Sequence, residues 1–140
     1  MTDELLEIIE LELAFLGRHI ISVAAAGTLD RAAYLLLHQL HTQGSIGVKA
    51  LALSLRLDVS TVSRQAAALA KKGYVVKVPD HFDRRAYTYQ LTDLGNEELH
   101  KYKKNRLAKI KELLADWEES DQRLFGSLLL KFNTSLRQDY

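Results

Sequence analysis

The sequence predicts a mainly α-helical chain with one small β-hairpin, an α+β arrangement in which the hairpin interrupts the run of helices. Three observations lead there. Large aliphatics recur at spacings of three and four through six separate segments, the period of a helix with one buried face. One stretch, 74–91, has instead the β-branched and aromatic composition of strands. Helix breakers, among them Gly27, Gly44, Gly73 and the only proline, Pro79, stand between the segments.

Taken in order, Leu5, Leu6, Ile8, Ile9, Leu13, Leu16, Ile20 and Ile21 form the stripe of a first helix over 3–25, which Gly27 stops. Thr28 or Asp30 caps a second helix, 29–42, whose apolar face is Ala33, Leu36, Leu37 and Leu40 and whose end is Gly44. Residues 45–47 read as a short extended piece. A short helix over 48–56 buries Leu51 and Leu55, and "RLD" turns the chain. Asp58 caps a fourth helix, 59–72, with Val62, Ala66 and Leu69 inward and Gly73 as its stop. "YVVKV" and "RAYTYQL" pair as a hairpin around the tip "PDHFD". Thr92 starts a long helix over 93–117, "EESD" breaks it, and a last helix covers 121–137. A short helix, a tight turn, a capped second helix and an immediate hairpin make a winged helix-turn-helix.

Composition narrows the function. A chain of 140 residues fits one domain, or one domain plus an oligomerisation element, and 47% hydrophobic residues supply a core and argue against disorder. Without cysteine there is no disulfide, no thiolate zinc site and no thiol switch. No apolar run approaches the roughly 18 residues of a membrane span. The opening "MTDELLEIIELE" is acidic, unlike a secretory or transit peptide, so a cytoplasmic, bacterial protein is expected. A Gly-rich phosphate loop, a cysteine nucleophile and a metal-ligand motif are all missing, which argues against an enzyme and implies no cofactor.

The net charge of +1 conceals an asymmetry. Between Ser45 and Gln90, eight Lys or Arg face three Asp, a local +5 that leaves −4 for the rest. A basic middle between acidic arms fits an anionic partner. The fourth helix is suited to the major groove of duplex DNA. Ser60, Thr61, Ser63, Arg64 and Gln65 lie off its apolar face, with Lys71 at the far end, while Ala67 and Ala68 keep it slim. Hydroxyls bond phosphates or bases, Arg64 suits guanine, and Gln65 suits adenine. The hairpin then lies along the backbone, and its tip, "DRR" at Asp83, Arg84 and Arg85, reaches the minor groove. Asp83 accepts from Arg85 or from tip amides and holds the arginine extended. Without that partner, the same segment would be a winged-helix module for binding protein.

Residues 60–95, "STVSRQAAALAKKGYVVKVPDHFDRRAYTYQLTDLG", resemble the multiple-antibiotic-resistance regulator (MarR) family of bacterial transcription factors. The pieces carrying the likeness are "STVSR", the "L…GYV" helix ending, the "DRRA" wing tip and "LTDLG", in this order and spacing. The flanking helices fit as well. The resemblance implies a homodimer joined through its first and last helices, a recognition helix in the major groove and the wing arginine, Arg85 beside Asp83, in the minor groove. It thereby implies a partition of 1–140 into a DNA-binding part, 29–95, and a dimerisation part, 1–25 with 96–140. Independently, the terminal helices carry wide aliphatic stripes that a monomer would expose. A two-fold dimer would read a pseudo-palindrome, as a repressor does.

The resemblance also implies regulation by a small aromatic or anionic effector. Arg18, Tyr34 and His38 are candidates to line its pocket, or are half-buried structural residues. His38 and His41, three apart, share a helix face but need a third ligand to hold zinc, so no metal site is expected. The lysines after the wing read as a solvated face, with Lys101 the candidate for an added phosphate contact.

Overall fold

A computed structural model of the chain describes residues 2–23, 29–83 and 85–139, the side chains of 20–23 and 139 excepted. The element order is α1 Asp3–Val23, α2 Arg31–Gln43, β1 Ile46–Gly47, α3 Val48–Leu55, α4 Val59–Lys71, β2 Val75–Pro79, β3 Tyr87–Leu91, α5 Asp93–Leu113 and α6 Glu119–Asp139. The chain divides into two compact units, Met1–Arg106 and Leu107–Tyr140.

In the first unit the expected caps form. Asp30 accepts from the Ala33 N–H at 2.8 Å, so it is the cap of α2. Gly27 and Thr28, the other expected signals there, lie outside the described residues. The α4 end is a Schellman motif: Gly73, at φ 83°, donates to the Ala70 carbonyl and Tyr74 to the Leu69 carbonyl, both at 3.0 Å. The left-handed φ is why glycine stands there. Leu69 and Tyr74, joined by that bond, are both in the core.

Leu36, Leu37, Leu51 and Val62 are fully buried, one or two each from α2, α3 and α4. Each burial is worth about 1.5–3 kcal/mol. Tyr74, Val75 and Tyr89 of the hairpin and Leu99 and Tyr102 of α5 close the cluster. β3 is the middle strand of a sheet ordered β1-β3-β2, antiparallel throughout. The short extended piece at 45–47 is thus a strand, Ile46 opposite Tyr89 and Gly47 opposite Thr88.

Thr92 joins α5 to the end of α4. Its hydroxyl donates to the Gly73 carbonyl at 2.6 Å and accepts from the Gly95 N–H at 3.0 Å, and its N–H donates to the Tyr74 carbonyl at 3.1 Å. Gly95 sits so close that a Cβ there would lie 2.0 Å from the Tyr74 carbonyl oxygen.

The largest difference from the expected boundaries falls between the last two helices. α5 ends at Leu113, not at 117, and the break falls before "EESD", which forms the first turn of α6. The Gln122 amide donates to the Leu114 and Trp117 carbonyls at 2.9 and 3.3 Å, tying the turn after α5 to the start of α6. Glu119 and Asp121 suit a helix N-terminus, and Glu119 pairs with Arg123 at 2.8 Å.

Both terminal helices expose their stripes. Leu5, Leu6, Ile8, Ile9, Leu13 and Leu16 on α1 are each at least 40% exposed, and so are Leu124, Phe125, Leu128, Leu129, Phe132 and Leu136 on α6. Ile20 and Ile21 belong to the same α1 stripe but lie outside the described side chains.

Candidate nucleic-acid interface

α4 turns Val62, Ala66 and Leu69 inward, which places Ser60, Arg64, Ala67, Ala68 and Lys71 in solvent. Thr61, Ser63 and Gln65 are half-buried at the edges of that face. The Gln65 amide oxygen is buried and has no hydrogen-bond partner among the described residues. Bidentate pairing with adenine therefore requires that amide to turn outward.

Asp58 organises the helix start. Its backbone is extended, and its carboxylate accepts from the Thr61 N–H at 3.1 Å, the Ser60 hydroxyl at 2.5 Å and the Thr61 hydroxyl at 2.9 Å. These bonds, that from Ser60 foremost, hold its pKa down at about 2. The Thr61 oxygen in turn accepts from the Arg64 guanidinium at 3.4 Å. A chain from Asp58 through Thr61 to Arg64 thus draws the arginine toward the helix N-terminus, the end that meets base edges in such motifs.

The wing tip is held by its own backbone. Asp80 donates to the Ala86 carbonyl and Ala86 to the Asp83 carbonyl, each at 3.1 Å. Asp83 accepts from the backbone N–H of Arg85 at 3.0 Å, so it engages a tip amide. Asp83 and Arg85 are both exposed, while Arg84 lies outside the described residues. Phe82, at 98% exposure, packs on nothing in the hairpin. On β2, the Lys77 ammonium sits 3.6 Å over the Tyr87 ring.

Between the wing and the start of α3 runs an open groove of about 540 Å³, lined by Gly47 to Ala50 and by Asp83, Arg85, Ala86 and Tyr87. Lys49 and Arg85 stand on its two walls. Lys49 contributes to the basic count in the sequence, but its place opposite the wing arginine could not be read there. The signal was a lysine in the first turn of a helix that enters directly from a strand.

Two of the candidate effector residues, Tyr34 and His38, lie together. Tyr34 stacks on His38 with centroids 6.1 Å apart and on Tyr102 at 4.6 Å, and it packs against the core. The cation over Tyr34 is Arg106, at 5.8 Å. Arg18 stands exposed on α1. His41 meets His100 edge to face at 5.8 Å. Among the described residues no group of three or more His, Cys, Asp or Glu could hold a metal. None of the described helices is long and apolar enough to cross a membrane.

A sequence model of the MarR family matches residues 29–87, the stretch from α2 to the wing. The chain is also 38% identical over 131 residues to the uncharacterized HTH-type transcriptional regulator YxaD of Bacillus subtilis (strain 168), a match covering 91% of this chain and 92% of that one. The chain belongs to the MarR family. Its fold recurs in a MarR family protein from Bacillus stearothermophilus, at TM-score 0.77 and 17% identity over 95% of this chain and 93% of that one. It recurs again in wild-type MarR of E. coli in its apo form, at TM-score 0.74 and 19% identity over 90% of this chain and 94% of that one. As a MarR family member, the protein is a winged-helix, DNA-binding transcriptional regulator.

Proposed function

We propose that this MarR family protein is a homodimeric repressor that binds a pseudo-palindromic operator in the bacterial cytoplasm and is released by a small aromatic or anionic molecule. The observation that carries the reading is the pairing of an outward polar face on α4 with a cationic wing tip a short distance along the same fold. In this reading Ser60, Thr61, Ser63, Arg64 and Gln65 meet base edges or backbone in the major groove. Arg85, steadied by Asp83, enters the minor groove, Arg84 adds a further positive charge to the wing, and Lys71 adds a phosphate contact.

Residues 29–95 then form the DNA-binding part. Residues 1–25 and 96–140 supply the dimer contact, and the exposed stripes of α1 and α6 support that role. Two copies present two recognition helices, so each reads one half-site and the operator mirrors the dimer's symmetry. The effector's candidate contacts are Tyr34, His38 and Arg18, with Arg106 as a second cation near Tyr34.

The test begins with duplex selected from a random pool by the full-length protein. Arg85→Ala should weaken binding to it by about 1–3 kcal/mol, and wild-type affinity should fall steeply with salt. Binding indifferent to both salt and Arg85 defeats the reading, and a sedimenting monomer at micromolar concentration defeats the dimer.

A further inference from the structure

The hydroxyls at the start of α4 are not free donors. An ionised carboxylate only accepts hydrogen bonds, and each hydroxyl has one proton to give. Ser60 gives its proton to Asp58 at 2.5 Å, and Thr61 gives its own to the same carboxylate at 2.9 Å. Phosphate oxygens also accept only, so neither hydroxyl bonds the DNA backbone without first leaving Asp58. What Ser60 still offers outward is lone pairs, and it is exposed.

Resting on the DNA-binding reading above, we propose that Asp58 makes the first turn of α4 an acceptor surface. Ser60 then selects a base with an exocyclic amino group, adenine N6 or cytosine N4, at one position of each half-site.

The chemistry of the major groove makes this a real choice. Adenine and cytosine present amino donors there, whereas guanine O6 and thymine O4 are acceptors. A keto oxygen facing Ser60 would meet a lone pair with the Asp58 charge directly behind it. The three bonds keep Asp58 ionised at any pH compatible with DNA binding, since its pKa lies at about 2. Arg64, four residues on and so on the same face, is drawn back by Thr61 and remains a donor. The turn thus presents an acceptor next to a donor, which pairs an amino-bearing base with a neighbouring guanine.

Selection from a random duplex pool, run in parallel with wild type, Asp58→Asn and Ser60→Ala, decides the matter. Asparagine caps a helix as well as aspartate but carries one acceptor oxygen and no charge, so it frees a hydroxyl proton. Wild type should favour A or C over G or T at one position per half-site by roughly fivefold to tenfold. Both variants should lose that preference there and keep the remaining positions. Unchanged base preferences in Ser60→Ala, or a wild-type preference for G or T at the position it affects, overturn the proposal while leaving the DNA-binding reading intact. Should Asp58→Asn fail to fold by circular dichroism, Ser60→Ala, which leaves the Thr61 cap in place, decides alone. A wild-type protein that enriches no sequence overturns both.

Discussion

Gly95→Ala tests how the hairpin is anchored. The new Cβ would lie 2.0 Å from the Tyr74 carbonyl oxygen and 2.9 Å from both the Tyr74 carbonyl carbon and the Leu91 Cδ1. The Leu91 methyl can swing away, but the Tyr74 backbone is fixed between a Schellman motif and a strand. Close carbon–oxygen contacts stop at about 3.3 Å, so the carbonyl must retreat by roughly 1.3 Å. That movement breaks the Thr92 N–H bond to Tyr74, now 3.1 Å, and strains the Thr92 hydroxyl bond to Gly73. Overpacking costs about 1–3 kcal/mol and each lost hydrogen bond about 1 kcal/mol, against about 1 kcal/mol gained by alanine in a helix. The net loss is roughly 1–3 kcal/mol, or about 3–10 °C in Tm for a chain of this size. Thermal melts by circular dichroism at one fixed protein concentration measure it. A variant melting within about 2 °C of wild type would refute the reasoning, since the backbone would then have yielded at no cost.

Two further outcomes follow from the interface. Lys49→Ala should flatten the salt dependence of operator binding by about one ion per subunit, with base preference unchanged, as for a phosphate contact; filter binding across a salt series reads this, and a shifted base preference would contradict it. Asp58 has a depressed folded pKa, about 2 against about 3.9 for a free side chain, so its stabilisation is complete above the free value and is lost as pH falls toward 2. Urea titrations should therefore show Asp58→Asn losing less stability than wild type between about pH 4 and pH 2, and parallel losses would remove Asp58 as a source of acid sensitivity.

What the sequence made legible was mostly local. Asp30, Asp58 and Gly73 act within three or four residues of themselves, as does the Thr92 cap on Gly95, and each does what its type and position foretold. The inward face of α4 was equally plain, because Val62, Ala66 and Leu69 repeat at helical spacing. The features that escaped depend on distant partners. Ile46 and Gly47 become a strand only by meeting Tyr89 and Thr88. The apolar rhythm of α5 runs on through Leu114 and Trp117, yet the helix stops at Leu113, and the Gln122 side chain takes the Leu114 and Trp117 carbonyls of the turn that follows. Arg106 lies over Tyr34, and Lys49 shares a groove with Arg85, because tertiary packing overrides proximity in the chain. Asp58 was readable as a cap, but that it would absorb two hydroxyl protons at once depends on side-chain rotation, which spacing does not encode.

The two-residue strand β1 has a mechanical consequence. By hydrogen bonding to β3 it welds the entry of α3 to the wing, so α3 and the wing behave as jaws of a fixed spanner. Each base pair inserted between their two footholds lengthens the duplex by about 3.4 Å, a mismatch the jaws have no hinge to absorb. In the proposed dimer, tolerance for variable operators would then reside in the spacer between half-sites, where only the joint between subunits needs to bend.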